Sequence, residues 1–91
     1  MTNYDLIKSF RNGATSGDGS HLYIRGNDLY NYKTVIAHRD EEGNMHLNIR
    51  WYSRTTTTLQ NYCKKIFGSL IVEEYEGPEC TKQNYGVGKL M

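Results

Sequence analysis

The sequence predicts an α+β domain, with a short N-terminal helix, an antiparallel β-meander of about four strands, one amphipathic helix over residues 57–67 and a final strand. Three observations carry that expectation. Apolar residues recur with helical spacing at the N-terminus and again after Thr57, the stretch between them has the two-residue period of strands, and Gly-containing turns punctuate that stretch at hairpin distances. At 91 residues the chain has room for one core, so residues 1–91 read as a single domain.

Tyr4, Leu6, Ile7 and Phe10 fall at helical spacing, with Thr2 placed to cap and Asp5 in the first turn, where the helix dipole favours a negative charge. Asn12-Gly13 ends that helix. Residues 14–20 are small and polar, lack an anchoring side chain, and read as a flexible loop. His21 to Arg25 and Asp28 to Tyr32 are short β-favouring runs joined by Gly26-Asn27, a two-residue hairpin signal. Thr34 to Asp40 and Asn44 to Tyr52 form the next pair, joined by Glu41-Glu42-Gly43 in a turn that Asp40 opens and Gly43 closes in a left-handed conformation.

That turn sets a register. It pairs Asp40 with Asn44, Ala37 with Leu47, Val35 with Ile49 and Lys33 with Trp51, which gathers the apolar residues on one face; the other face then sets His38 opposite His46 and Thr34 opposite Arg50. Thr57-Thr58-Leu59-Gln60 has the form of a capping box with Thr57 as N-cap. Leu59, Tyr62, Cys63, Ile66 and Phe67 make the apolar stripe of the second helix, Lys64 and Lys65 fill its last turn, and Gly68 stops it. Leu70 to Tyr75 reads as the last strand. Residues 77–91 read as an irregular tail.

Composition narrows the classes. Only 37% of residues are hydrophobic, but one Trp, two Phe and eight Tyr each bury a large area, which argues against disorder. Apolar runs such as Leu70 to Val72 are far below the roughly 20 residues of a membrane span, and the N-terminus has no signal-peptide pattern, so a cytoplasmic protein is expected. A net charge of +1 excludes a strongly basic nucleic-acid binder. Basic residues prevail between His21 and Lys65, while Glu73, Glu74, Glu76 and Glu79 make the C-terminal stretch acidic. Cys63 and Cys80 form no CxxC pair and are expected as free thiols.

Two stretches carry a resemblance. Leu29-Tyr30-Asn31-Tyr32-Lys33-Thr34-Val35-Ile36-Ala37 resembles the pattern L-x-S-Y-x-T-x-I-A, with Asn31 where the pattern has Ser, and Tyr52-Ser53-Arg54-Thr55-Thr56 followed by Gln60 resembles Y-S-x-T-T-x-x-x-Q. Both occur in that order in a family of small proteins of phages, archaeal viruses and their hosts, and the match runs from about Gly13 to Phe67. The resemblance implies a phage or mobile-element protein. Small α+β proteins of that origin without an enzyme motif include inhibitors of host defence, such as anti-CRISPR proteins that bind a nuclease, which makes a host CRISPR nuclease the expected partner class by analogy.

The residues offer three candidate constellations. Ser53, Arg54, Thr55 and Thr56 lie at a helix start, where unpaired N–H groups and the dipole can hold a phosphate or carboxylate, or where the hydroxyls simply cap. His38 and His46, with His21 as a third imidazole, can pack across strands or begin a metal or acid–base site; with no carboxylate placed beside them by the sequence, no metal site or cofactor is assigned. Gly17-Asp18-Gly19 lacks the Lys of a phosphate-binding loop, and no nucleophile motif is present, so no catalytic residue is expected and the chain reads as a non-enzyme.

The third constellation is the polar sheet face. Tyr23, Arg25, Tyr30, Tyr32, Arg50, Tyr52 and the neighbouring Arg54 supply the Tyr–Arg chemistry of protein interfaces, and Glu73, Glu74 and Glu76 add an acidic edge. The same aromatics and cations can stack bases and hold phosphates, so a small nucleic-acid-binding domain is the alternative, and a homodimer through this face is a further one.

Overall fold

The computed structural model describes residues 2–76. Helix α1 (Asn3–Arg11) starts as its sequence dictates, with Thr2 Oγ1 accepting from the Asp5 amide at 3.1 Å. Asn12 is its C-cap and Gly13, at φ +104°, turns the chain away. Leu6, Ile7 and Phe10 are fully buried.

Strand β1 (Ser16–Asp18) lies inside the segment that the sequence assigns to a flexible loop. It pairs antiparallel with β2 (Leu22–Arg25), matching Gly17 with Ile24. Small polar residues carry no apolar period to betray a strand, yet here smallness is the requirement: a Cβ on Gly17 would stand 2.7 Å from Leu6 Cδ1. Strands β3 (Asp28–Asn31), β4 (Thr34–Arg39) and β5 (Met45–Asn48) follow as hairpins, with Gly26 and Gly43 at positive φ in the turns. Helix α2 (Arg54–Phe67) and a 3-10 turn (Gly68–Leu70) then lead to β6 (Ile71–Tyr75).

The six strands stand in sequence order, all neighbours antiparallel except β5 and β6, which run parallel across the α2 crossover. The architecture is α+β as expected, with a mixed six-stranded sheet in place of a four-stranded meander. Both helices pack on one face of it, where Leu22, Ile24, Leu29, Ile36, Ala37, Met45 and Leu47 meet Leu6, Ile7, Phe10, Leu59, Cys63 and Phe67. Residues 77–91, including Cys80 and Glu79, lie outside the described residues.

The β4–β5 register follows the turn, pairing Ala37 with Leu47 and His38 with His46. It ends sooner than the sequence suggests. Beyond Asn48 the chain leaves β4, so Val35 does not meet Ile49, Lys33 does not meet Trp51, and Thr34 does not meet Arg50. Asn48 causes the departure: its Nδ2 donates to the Val35 carbonyl at 3.2 Å, and its Oδ1 accepts from the Arg50 amide at 3.0 Å. Ile49 instead donates its amide to Tyr75 O of β6 at 2.7 Å. A bulge between Leu29 and Tyr30 sets Val35 level with Tyr30 and lets both Ile36 and Ala37 join the core, so Val35 does not share the face of Ala37.

The start of α2 also differs. Ser53, not Thr57, is the N-cap, accepting from the Thr56 amide at 3.2 Å, while Thr57 Oγ1 donates back to the Ser53 carbonyl at 2.9 Å. Gln60 does not close a capping box. Its amide is buried and donates to the carbonyls of Asn48, at 2.6 Å, and Arg50, at 3.0 Å, which ties α2 to the chain leaving β5. Leu59, Cys63 and Phe67 are buried as their spacing requires, while Tyr62 is 38% exposed. Burial pushes the Cys63 thiol far up, so it is an inert core side chain.

Arg39 is buried although it is charged, at 7% exposure. Its guanidinium donates to Phe10 O at 2.5 Å, Ala14 O at 3.1 Å, Gly26 O at 3.3 Å and Asn27 Oδ1 at 2.9 Å, and stands 4.7 Å from the Phe10 ring centroid. One side chain thereby satisfies the end of α1, the chain entering β1 and the β2–β3 turn, and burial draws its pKa down.

Two substitutions test these assignments. Ser53→Ala is expected to cost about 1 kcal/mol and Thr57→Ala clearly less, since only the former removes the cap; urea unfolding of both variants distinguishes them. Arg39→Met, which keeps the packing stem but removes the guanidinium's hydrogen bonds to Phe10, Ala14, Gly26 and Asn27, is expected to cost on the order of 2–3 kcal/mol in the same measurement.

Candidate functional site

Neither helix packs on the opposite face of the sheet, whose side chains are placed by strand alternation and where Val35 and Asn48 are buried, Asn48 donating to the Tyr52 hydroxyl. Tyr23 and Tyr30 are register partners on β2 and β3, with ring centroids 5.0 Å apart and planes within 2°. Arg25 lies over Tyr23, 4.9 Å from the ring centroid, and donates to Asp18 Oδ1 at 3.0 Å. Three of the expected contact residues thus come together as one aromatic and cationic unit.

Tyr32 sits past the end of β3, in the turn to β4, with φ +58°. A bulky residue in the left-handed region needs outside support. Here it has three: its amide donates to His21 O at 2.8 Å, its carbonyl accepts from the Tyr23 hydroxyl at 2.6 Å, and its ring stacks on His21 at 4.5 Å. The ring is 56% exposed. His21 is therefore committed to Tyr32 and does not join His38 and His46.

A second row crosses the same face through the register partners Asp28, His38, His46 and Glu73, from β3 to β6. His38 Nδ1 lies 2.7 Å from Asp28 Oδ1, and the two imidazole centroids are 5.9 Å apart. His46 Nδ1 meets Glu73 Oε1 at 2.5 Å and its Nε2 meets Asp40 Oδ2 at 2.9 Å. The sequence places no carboxylate beside these histidines, and the structure corrects that: Asp28 arrives by the β3–β4 register, Asp40 by the turn and Glu73 by the parallel strand. Among the described residues no group of three or more such side chains is placed to hold a metal ion. His46 thereby bridges the β4–β5 turn and β6.

Asn27, His38, Arg39, Asp40, Glu41 and Glu42 line a polar cleft of about 490 Å3 beside this row. With Glu73, the turn gives that end of the face an acidic rim. Glu74 is paired with Leu47 and so belongs to the other side of β6, and Glu76 follows the strand; both are exposed.

The remaining expected site residues lie elsewhere. Arg50 stands 5.7 Å from the Tyr52 ring centroid in the segment after β5, and the Tyr52 hydroxyl accepts from Asn48 Nδ2 at 2.8 Å. Arg54 is exposed in the first turn of α2. The hydroxyls around it are spent on the fold: Ser53 Oγ donates to Thr56 Oγ1 at 3.1 Å, and buried Thr56 passes the chain on to Asn31 Oδ1 at 2.7 Å. Of the candidate anion-binding group, Arg54 and Thr55 stay exposed.

Trp51 reverses its expected place. It is 70% exposed because β5 ends before reaching it, and with Ile49, Thr57, Asn61 and Lys64 it borders a cleft of about 120 Å3. No helix of the described residues is long and apolar enough to cross a membrane. Comparison of the chain with protein families, curated proteins and solved structures finds no match.

Asp40 gives the row a pH signature. Burial pushes its carboxyl up, but the His46 hydrogen bond and the amides of Asn44 and Glu42 outweigh this and hold it below its ordinary value. A depressed carboxyl adds stability above its unfolded value of roughly 3.9 and loses it as pH falls through the folded value. The urea midpoint is expected to drop on acidification below about pH 4, and Asp40→Asn to make that drop shallower, measured across pH 7 to 3.

Proposed function

We propose that this is a non-enzymatic binding protein of a phage or mobile element that inhibits a host defence protein, a CRISPR nuclease being the partner class favoured. The observation that carries the reading is the sheet face itself: a stacked Tyr23–Tyr30 pair with Arg25 over it, bordered by Asp40, Glu41, Glu42 and Glu73. Rigid aromatics and Arg are the side chains that anchor protein interfaces. An acidic rim beside them suits a partner whose cleft presents Lys and Arg for phosphates, because such a cleft already has the complementary charge. The family resemblance supplies the phage setting, and its motif residues Ser53, Thr56 and Gln60 are used within the fold, which leaves the sheet face for recognition.

Affinity capture from host lysate with the full chain as bait tests the reading. A specific protein is expected, and Tyr23→Ala/Tyr30→Ala is expected to weaken its binding about tenfold or more while circular dichroism stays native. Undiminished capture by that variant, or recovery of nucleic acid alone, would overturn it.

A further inference from the structure

The helical side of the molecule has the opposite character. Lys8 and Arg11 in the last turn of α1 and Lys65 in the last turn of α2 converge, with Tyr4, Asn12 and Ile66, on an open cleft of about 270 Å3 that no carboxylate lines. Among the described residues none of these three cations has an ion-pair partner, whereas Arg25 is paired with Asp18 and Arg39 is buried against carbonyls. Tyr4 lies in the wall of this cleft, and Tyr62 packs against Tyr4. Tyr4 and Tyr62 meet edge to face at 5.7 Å, Lys8 Nζ stands 5.8 Å from the Tyr4 centroid, and the two rings remain 37% and 38% exposed.

We infer that this cleft is a binding site for single-stranded nucleic acid, separate from the sheet face and independent of the function proposed for it. Cations at helix C-termini also offset the helix dipoles, which accounts for each of them singly. The dipole does not account for two helix ends presenting their cations to one cleft beside exposed aromatic rings. A positively charged track with stacking platforms is the chemistry that holds a single strand without reading its sequence: Lys8, Arg11 and Lys65 face phosphates, and the partly exposed Tyr4 and Tyr62 offer aromatic surface to bases. The cleft is below the roughly 300–1,000 Å3 of pockets that engulf a small ligand, and it is open, which fits a polymer crossing it.

Fluorescence anisotropy with the full chain and a labelled oligothymidine at two salt concentrations tests the site. Binding is expected to weaken with salt, and Lys8→Gln/Arg11→Gln to lower affinity about tenfold or more while flattening the salt dependence by about 0.7 for each cation removed. Lys65→Gln, on the other helix, should act in the same direction. Tyr62→Leu should lower affinity about fivefold or more with the salt dependence unchanged, which a purely electrostatic patch would not show. Arg25→Gln should have no effect. Absence of binding, an equal loss on Arg25→Gln, or stronger binding to phosphatidylserine vesicles than to the oligonucleotide would overturn the inference.

Discussion

Arg39 is the interaction on which the rest of the molecule depends. Phe10 at the end of α1 and Gly26 in the β2–β3 turn present carbonyls to the same interior, and Arg39 donates to both. A hydrophobic residue at that position would fill the space but supply none of these donors. The guanidinium supplies several donors in one plane, which is what reaching Phe10, Ala14, Gly26 and Asn27 from a single strand position requires. Its stacking on Phe10 joins this polar knot to the core without a gap.

A second knot fixes α2 to the sheet. Asn31, Thr56 and Ser53 form one chain of hydrogen bonds, and Asn48, Tyr52 and Gln60 form another, so both ends of the β5–α2 connection are held by buried amides and hydroxyls. These side chains serve the fold, whereas Arg25 and Trp51 are exposed.

What is legible in the sequence follows from the range of the interactions. The α2 stripe, the Gly26 and Gly43 turns and the Ala37–Leu47 register rest on local periodicity and turn geometry, and each is present. Strand β1 has no apolar period, because its Gly17 is selected by proximity to Leu6, a neighbour it meets only after α1 has docked. The carboxylates around His38 and His46 come from a bulged hairpin, from the β4–β5 turn and from a parallel crossover, and neither the bulge nor the crossover is encoded in sequence spacing. Trp51 and Val35 depart from their expected places for one reason: a two-residue period extrapolates past the points where Asn48 and the Leu29–Tyr30 bulge interrupt it. Ser53 and Thr57 are hard to tell apart as caps because several hydroxyls in a row each fit the capping rule, and only the burial of Thr56 chooses between them.

The parallel pairing of β6 imposes an order on biosynthesis. Strands β1 to β5 join through short turns and can zip together as they emerge, whereas β6 follows a helix of 14 residues and has its place only once that helix has settled on the sheet. Until then the outer edge of β5 is an unfinished ladder, with Met45 and Leu47 beside open amides and carbonyls, the kind of edge that recruits a neighbouring nascent chain. At four residues β5 presents little of it, and His46 sets a polar side chain in its middle, so the hazard is confined to the interval between completing β5 and seating β6.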